Sequence, residues 1–179
     1  MAILTPDSTC ALCQQPLKGA EPIFATSGVF PVPAGLQRFC DAPMHWECYA
    51  QWPHRRAFAA AYLQMWVAVT ALNPFWSEVW LDEHTLVTVN AEAPVAEVSV
   101  RLQHTGSEMR VQLAAWETWL ATQAACPTGR HLIETTALAA AIPILQAHLP
   151  TSDAIIKRID WGAKQALWEQ RQQAIAQRQ

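Results

Sequence analysis

The spacing of apolar residues divides the chain into stretches of different period. In "HRRAFAAAYLQMWVAVTAL", Phe58, Tyr62, Met65, Val69 and Leu72 recur three and four apart. That spacing predicts a helix with one apolar face, stopped by Asn73-Pro74. The period then drops to two. "EVWLDEHTLVTVN" predicts a strand, a turn and a strand. In "EVSVRLQHTGSEMRVQLA", Val98, Val100 and Leu102 alternate before the turn "HTGS", and Met109, Val111 and Leu113 after it. This is the clearest hairpin in the chain. Helical spacing returns in "AWETWLATQAAC", with Trp116, Trp119 and Leu120 on one face and a break at Pro127 and Gly129. "RHLIETTALAAAIPILQAHL" is a further helix, kinked or broken at Pro143. "TSDAIIKRIDWGAKQALWEQRQQAIAQRQ" reads as one closing helix. Thr151 or Ser152 caps it, Asp153 complements its dipole, and Ile155, Ile159, Ala166 and Trp168 turn loosely inward. Its last ten residues are polar and are expected to fray.

Residues 1 to about 50 lack either period and are rich in turns, prolines and cysteines. "EPIFATSGVF" and "LQRFC" are expected as short strands around the loop "PVPAG". "DAPMHWECYAQW" is expected to open a helix with Asp41 as N-cap and Pro43 in the first turn. The fold class is mixed α+β, a small antiparallel sheet packed by helices.

Composition narrows the function. Of 179 residues, 51% are hydrophobic and 15% charged, enough apolar material for a core and too much for disorder. The formal charge of -3 supplies no global field to attract nucleic acid. The nine tryptophans read as core filler, or as an exposed aromatic interface if they cluster on a surface. From Ala57 to Trp76 no residue is charged, and Arg55 and Arg56 precede the stretch. Its alanines, together with Gln64, Thr70, Asn73 and Pro74, make it a buried helix rather than a membrane span. "MAILTPDSTC" carries no secretory signal, and five cysteines is an odd number. Both point to a reducing, cytoplasmic compartment, with thiols free or on metal.

The candidate chemistry lies in the first fifty residues. Cys10 and Cys13 form a C-x-x-C knuckle, and His45 and Cys48 stand three apart at an expected helix start. Residues at i and i+3 share a helix face, so an imidazole and three thiolates can converge on one ion. That donor set suits tetrahedral Zn2+. Cys40 is an alternative to His45 as third ligand. Cys126 reads as a core residue at a helix end. His84, His104, His131 and His148 are scattered, without a triad to join.

Cys10, Cys13, the expected hairpin between Phe24 and Cys40, and His45 and Cys48 heading a helix together resemble a treble-clef zinc finger. "HWECY" is similar to the H-x-x-C-aromatic step of a LIM-type module, and the ligand order to half of a RING finger. The resemblance covers about residues 8 to 55. It implies a zinc-binding module at residues 1–52, with residues 53–179 a helical and β-hairpin body packed with it as one unit.

Three functions follow as expectations. The first is a non-catalytic, zinc-stabilised interaction or adaptor protein whose partner is another protein. The second is nucleic-acid binding or processing through the finger, using Arg38, His54, Arg55 and Arg56. The third is a zinc hydrolase, which needs an open metal position and a base such as Glu47. A membrane partner is not expected, and the sequence leaves the oligomeric state open.

Overall fold

The computed structural model describes residues 4–18, 22–26, 28, 30–92, 95–122 and 135–177. Two short strands, β1 (Ile23–Ala25) and β2 (Pro43–His45), pair antiparallel with Phe24 opposite Met44. Helix α1 (Trp46–Ala50) follows β2 directly, and α2 (Arg55–Ala71) comes after a short turn. This corrects two expectations. "LQRFC" is not a strand, because Gln37–Phe39 forms a 3-10 turn and β1 takes its partner from Pro43–His45. Nor does Asp41 cap a helix. It sits at φ 54, a left-handed conformation that Asp tolerates better than most residues. Its N–H donates to Thr26 Oγ1 at 3.0 Å, and its Oδ1 accepts from Gly28 N at 3.2 Å. Pairing with β1, 20 residues upstream, extends Pro43–His45 and delays the helix to Trp46.

The main sheet is an antiparallel meander of β3 (Ser77–Leu81), β4 (Thr85–Asn90), β5 (Glu97–Leu102) and β6 (Glu108–Gln112), in that order. The expected hairpin is β5–β6, with Val98 opposite Val111 and Val100 opposite Met109. One face carries Val87, Val89, Val98, Val100, Met109 and Val111, all buried. Against it pack α3 (Trp116–Thr122), α4 (Thr135–His148) and α5 (Ser152–Ile156), through side chains such as Trp116, Leu145 and Ile155. Each such aliphatic side chain contributes about 1.5–3 kcal/mol on leaving water. Trp116 Nε1 also donates to the Leu149 carbonyl at 2.7 Å, so its one polar atom is satisfied. The chain is thus mixed α+β, an N-terminal segment followed by a four-stranded sheet and helices packed on it.

Several helix expectations change. Pro143 lies inside α4 and does not break it. The C-terminal stretch is two helices, α5 and α6 (Trp161–Ala176), not one. Thr151 caps the first by accepting from Ala154 N, and Asp160 caps the second by accepting from Ala163 N. Ile155 and Ile159 are buried as expected, but Ala166 and Trp168 are exposed. Helix α6 runs to Ala176, with its residues from Glu169 onward exposed. In α2, Phe58 and Tyr62 are buried, whereas Val69 and Leu72 reach 39% and 77% exposure. Only the first half of the charge-free stretch is therefore a core helix. No helix among the described residues is long and apolar enough to cross a membrane. Of the nine tryptophans only Trp116 and Trp119 are buried, and the rest are half-buried or exposed. Cys126 and His131 lie outside the described residues.

The opposite face of the sheet is polar yet covered. Arg101 is 4% exposed. It donates to Glu108 Oε1 at 2.8 Å and Thr88 Oγ1 at 3.3 Å, and its guanidinium lies 4.0 Å from the Trp66 ring centre on α2. Burial alone would raise the Glu108 carboxyl pKa. The positive charges of Arg101 and Arg110 outweigh it and hold the group below the usual carboxylate range.

Glu108→Gln is expected to cost about 3–5 kcal/mol, because it leaves Arg101 buried without its counter-charge. The wild-type carboxyl titrates lower folded than unfolded, so its stabilisation is complete above the unfolded value of about 4.3. It is lost as pH falls through the folded value. Thermal unfolding from neutral to acidic pH should show a steeper acid loss for wild type than for the variant.

Candidate metal centre

The knuckle begins with a backbone turn. Cys10 N donates to the Gln15 carbonyl at 2.9 Å and Gln14 N to the Cys10 carbonyl at 2.8 Å. Gln14 closes the turn at φ 61, in the left-handed region. Ala11 N then donates to the Pro43 carbonyl at 2.9 Å, fastening the knuckle to β2. β2 ends at His45, which is also the N-cap residue of α1, and Cys48 follows within the first turn. A three-residue strand running straight into a helix therefore delivers both ligands of the second pair.

The donor atoms of Cys10, Cys13, His45 and Cys48 all lie within 4.8 Å of one another. His45 Nδ1 is 3.4 Å from Cys13 Sγ and 3.8 Å from Cys48 Sγ. Bonds of about 2.3 Å to sulfur and 2.0–2.1 Å to nitrogen put neighbouring tetrahedral donors roughly 3.6 Å apart, so the spacing fits a metal of that size. The ring of His45 is oriented to match. Its Nε2 is 3.3 Å from the Pro16 carbonyl, which can only accept, so Nε2 carries the hydrogen. Nδ1 then keeps its lone pair toward the sulfurs, the second contact that fixes a metal-ligating imidazole. Cys10 is fully buried, His45 and Cys48 half-buried, and Cys13 exposed.

The thiols shift apart electrostatically. Burial raises the Cys10 pKa, but N–H groups of Cys13, His45 and Leu12 outweigh it and bring the group down to about 7. His45 N is 3.3 Å from that sulfur. Cys48 is pushed up to about 12 by burial first, then by the neighbouring Cys13 and Cys10 sulfurs. Three thiols this close cannot all ionise without a cation among them.

Cys40, the alternative ligand, stands apart from this group. It is buried and directs its S–H to the Phe30 carbonyl, 3.8 Å away. The basic residues gather along an aromatic string. Arg38 lies 4.7 Å from the Phe39 ring centre, Phe39 packs edge-on against Trp52, and Trp52 against His54. Arg55 lies over Tyr49 and Trp46, at 5.2 Å and 5.6 Å, and Arg56 is exposed. Glu47 is exposed beside Cys48 and lines, with Lys18, Trp46 and His45, an open cleft of about 480 Å³.

Two further groups set the site in place. The Pro16 carbonyl is a backbone group, and nothing in side-chain spacing marks it. Tyr49 follows Cys48 directly, and its hydroxyl donates to the buried Thr105 carbonyl at 2.9 Å. Phe24 stacks on it at 3.6 Å. Gly106 is required beneath them, because a Cβ there would come within 3.0 Å of the Tyr49 hydroxyl and 3.1 Å of Phe24 Cζ. Its φ of 69 reinforces the requirement. An aromatic after the last ligand and a Gly in "HTGS" were the available signals.

No protein-family model matches the chain, and no curated protein or solved structure matches it.

Replacing Cys10, Cys13 or Cys48 by Ser, or His45 by Ala, should reduce bound metal well below one ion per chain. Cys40→Ala should keep the full complement and cost only about 1–2 kcal/mol, as a small buried truncation does. Metal content by mass spectrometry, alongside thermal unfolding, checks both outcomes.

Proposed function

We propose that this is a non-catalytic protein stapled by Zn2+ at Cys10, Cys13, His45 and Cys48, and that its surface recognises another protein. One observation carries the reading: three sulfurs and one imidazole nitrogen are gathered within 4.8 Å. Four protein donors complete a tetrahedral shell and leave no position for a reacting water, as in structural rather than catalytic zinc sites. Thiolate-rich sites favour zinc over hard cations such as Mg2+ or Ca2+. The arrangement of a knuckle, β1–β2 and a helix headed by His45 and Cys48 supports the treble-clef resemblance. The strands differ from the expected pair, since β2 replaces the segment ending at Cys40. The cleft beside the site, with its Trp46 wall, suits a peptide segment more than a small polar substrate.

A second reading, nucleic-acid binding, draws on Arg38 at Phe39, His54 at Trp52, Arg55 over Tyr49 and Trp46, and the exposed Arg56. Phe39 is only 4% exposed and cannot stack on a base, and the net charge is -3. The hydrolase reading would need one of the four donors to leave the ion.

Purified protein should carry one zinc per chain, and its Co2+-substituted form should show the strong visible absorption of a tetrahedral thiolate site. Chelation should unfold the N-terminal core first, since metal binding contributes on the order of 10 kcal/mol in small zinc modules. Unchanged proteolysis of residues 4–50 after verified metal removal contradicts the structural role. Binding to short DNA or RNA at low salt, weakening as salt rises, favours the second reading.

A further inference from the structure

We propose that Cys13 is a site of oxidative modification, where a hydroperoxide couples its sulfur to that of Cys48 and the disulfide takes over the clamp between the knuckle and α1. The three thiols of the cluster differ in access. Cys10 is fully buried, Cys48 half-buried and Cys13 exposed. Cys48 also lines the open cleft beside the site. An oxidant arriving from solvent meets Cys13 first, and oxidation of a thiol follows its exposure. Sulfurs coordinated to the ion proposed above are thiolates, the nucleophilic form. A resolving sulfur is at hand, because the donor atoms of Cys10, Cys13 and Cys48 lie within 4.8 Å of one another. A disulfide needs about 2.05 Å between sulfurs, so only a short approach remains. Cys40 is outside the cluster, buried, with its S–H on the Phe30 carbonyl at 3.8 Å.

Cys48 resolves rather than Cys10. The Cys10 sulfur accepts from His45 N at 3.3 Å, and its backbone is bonded on both sides of the turn, to the Gln15 carbonyl and from Gln14 N. Moving it toward Cys13 breaks the sulfur contact and bends a turn that Gln14 already closes at φ 61. The Cys48 sulfur meets the His45 ring at 3.8 Å and can swing from the first turn of α1. In the first step the Cys13 thiolate attacks one oxygen of hydrogen peroxide. The O–O bond breaks, leaving a sulfenic acid on Cys13 and releasing hydroxide. The Cys48 thiolate then attacks the Cys13 sulfur, the S–O bond breaks, and a second hydroxide leaves to solvent. The two thiolates give up two electrons to the peroxide, and with two protons its oxygens depart as water. Cys10 and His45 are then the two donors left, too few for a tetrahedral ion, which is released. The disulfide spans the same segment, so α1 stays fastened to the knuckle. His45 and Cys48 both line the cleft, so its wall changes with oxidation.

The release of metal rests on the zinc reading above, whereas the pairing of sulfurs does not. The test treats the full chain, loaded with zinc and freed of reductant, with graded hydrogen peroxide. Remaining thiols are alkylated and the protein is digested for mass spectrometry. The expected product has lost two hydrogens and yields a linked peptide joining Cys13 to Cys48. A chromogenic chelator should read one zinc released per disulfide. Cleavage within residues 4–50 by a protease should be slower in this product than in reduced, chelated protein by about tenfold or more, as a cross-link of that span implies. Cys40→Ala should give the same product at the wild-type rate. Protein that holds no zinc yet forms the Cys13–Cys48 link contradicts the zinc reading and supports the pairing. A disulfide through Cys10, Cys40 or Cys126 overturns the proposal. So does oxidation of Cys13 to a sulfinic or sulfonic acid without a disulfide, or zinc retained in the linked product.

Discussion

The N-terminal segment depends on an electrostatic conflict. Three sulfurs and a ring nitrogen occupy a space in which their donor atoms lie within 4.8 Å. Burial opposes ionisation of both Cys10 and Cys48, but backbone N–H groups pull Cys10 down while the neighbouring sulfurs push Cys48 further up, so the two titrate far apart. A divalent cation held there would turn the same crowding into attraction. The elements around it are short and lean on the buried cluster of Phe24, Phe30, Met44, Tyr49 and Phe58. β1 and β2 have three residues each and α1 has five, all below the length at which strands or helices persist alone. The closure between Cys13 and His45 spans more than thirty residues, and an ion held by both would remove much unfolded-state entropy.

The Cys/His cluster is tied to the sheet through Tyr49. Tyr49 is the neighbour of Cys48 and lies between Phe24 and the β5–β6 turn, where its hydroxyl meets the Thr105 carbonyl. Anchoring an aromatic one residue from Cys48 leaves little slack between the Cys/His cluster and the hairpin. The N-terminal core also recruits Phe58 and Tyr62 from α2. The same helix then covers the polar face of the sheet through Trp66. α2 is thus shared by both packing regions.

Local periodicity made some of this legible. The β5–β6 register follows from strict alternation across a Gly-containing turn, and both faces of that logic are local. Cys10, Cys13, His45 and Cys48 were legible because two short spacings on one polypeptide can serve a single ion. What stayed hidden was non-local. Pro43–His45 reads as a helix start, because nothing near it reveals that Ile23–Ala25 will claim its backbone. Ala166 and Trp168 read as inward-facing because an apolar residue on a helix is assumed to find a core. Here Asp160 restarts the chain as a separate helix and rotates them outward. Pro143 looked like a break, but it occupies an exposed position within α4 and the helix continues past it.

The two faces of the sheet divide the work of folding. Valines and helices on one face supply most of the burial, but apolar contacts are tolerant of sliding. The other face is intolerant. Arg101 must meet Glu108 at 2.8 Å, Ser99 must reach the same carboxylate at 2.8 Å, and Thr88 must lie opposite. A slip of one residue would send Arg101 into the valine layer and Val100 out of it. The cost of an unpaired buried charge exceeds that of a displaced methyl group several-fold. The ion pair therefore acts mainly on register, penalising every alignment but one. That single alignment places Thr105 and Gly106 where Tyr49 can close on them.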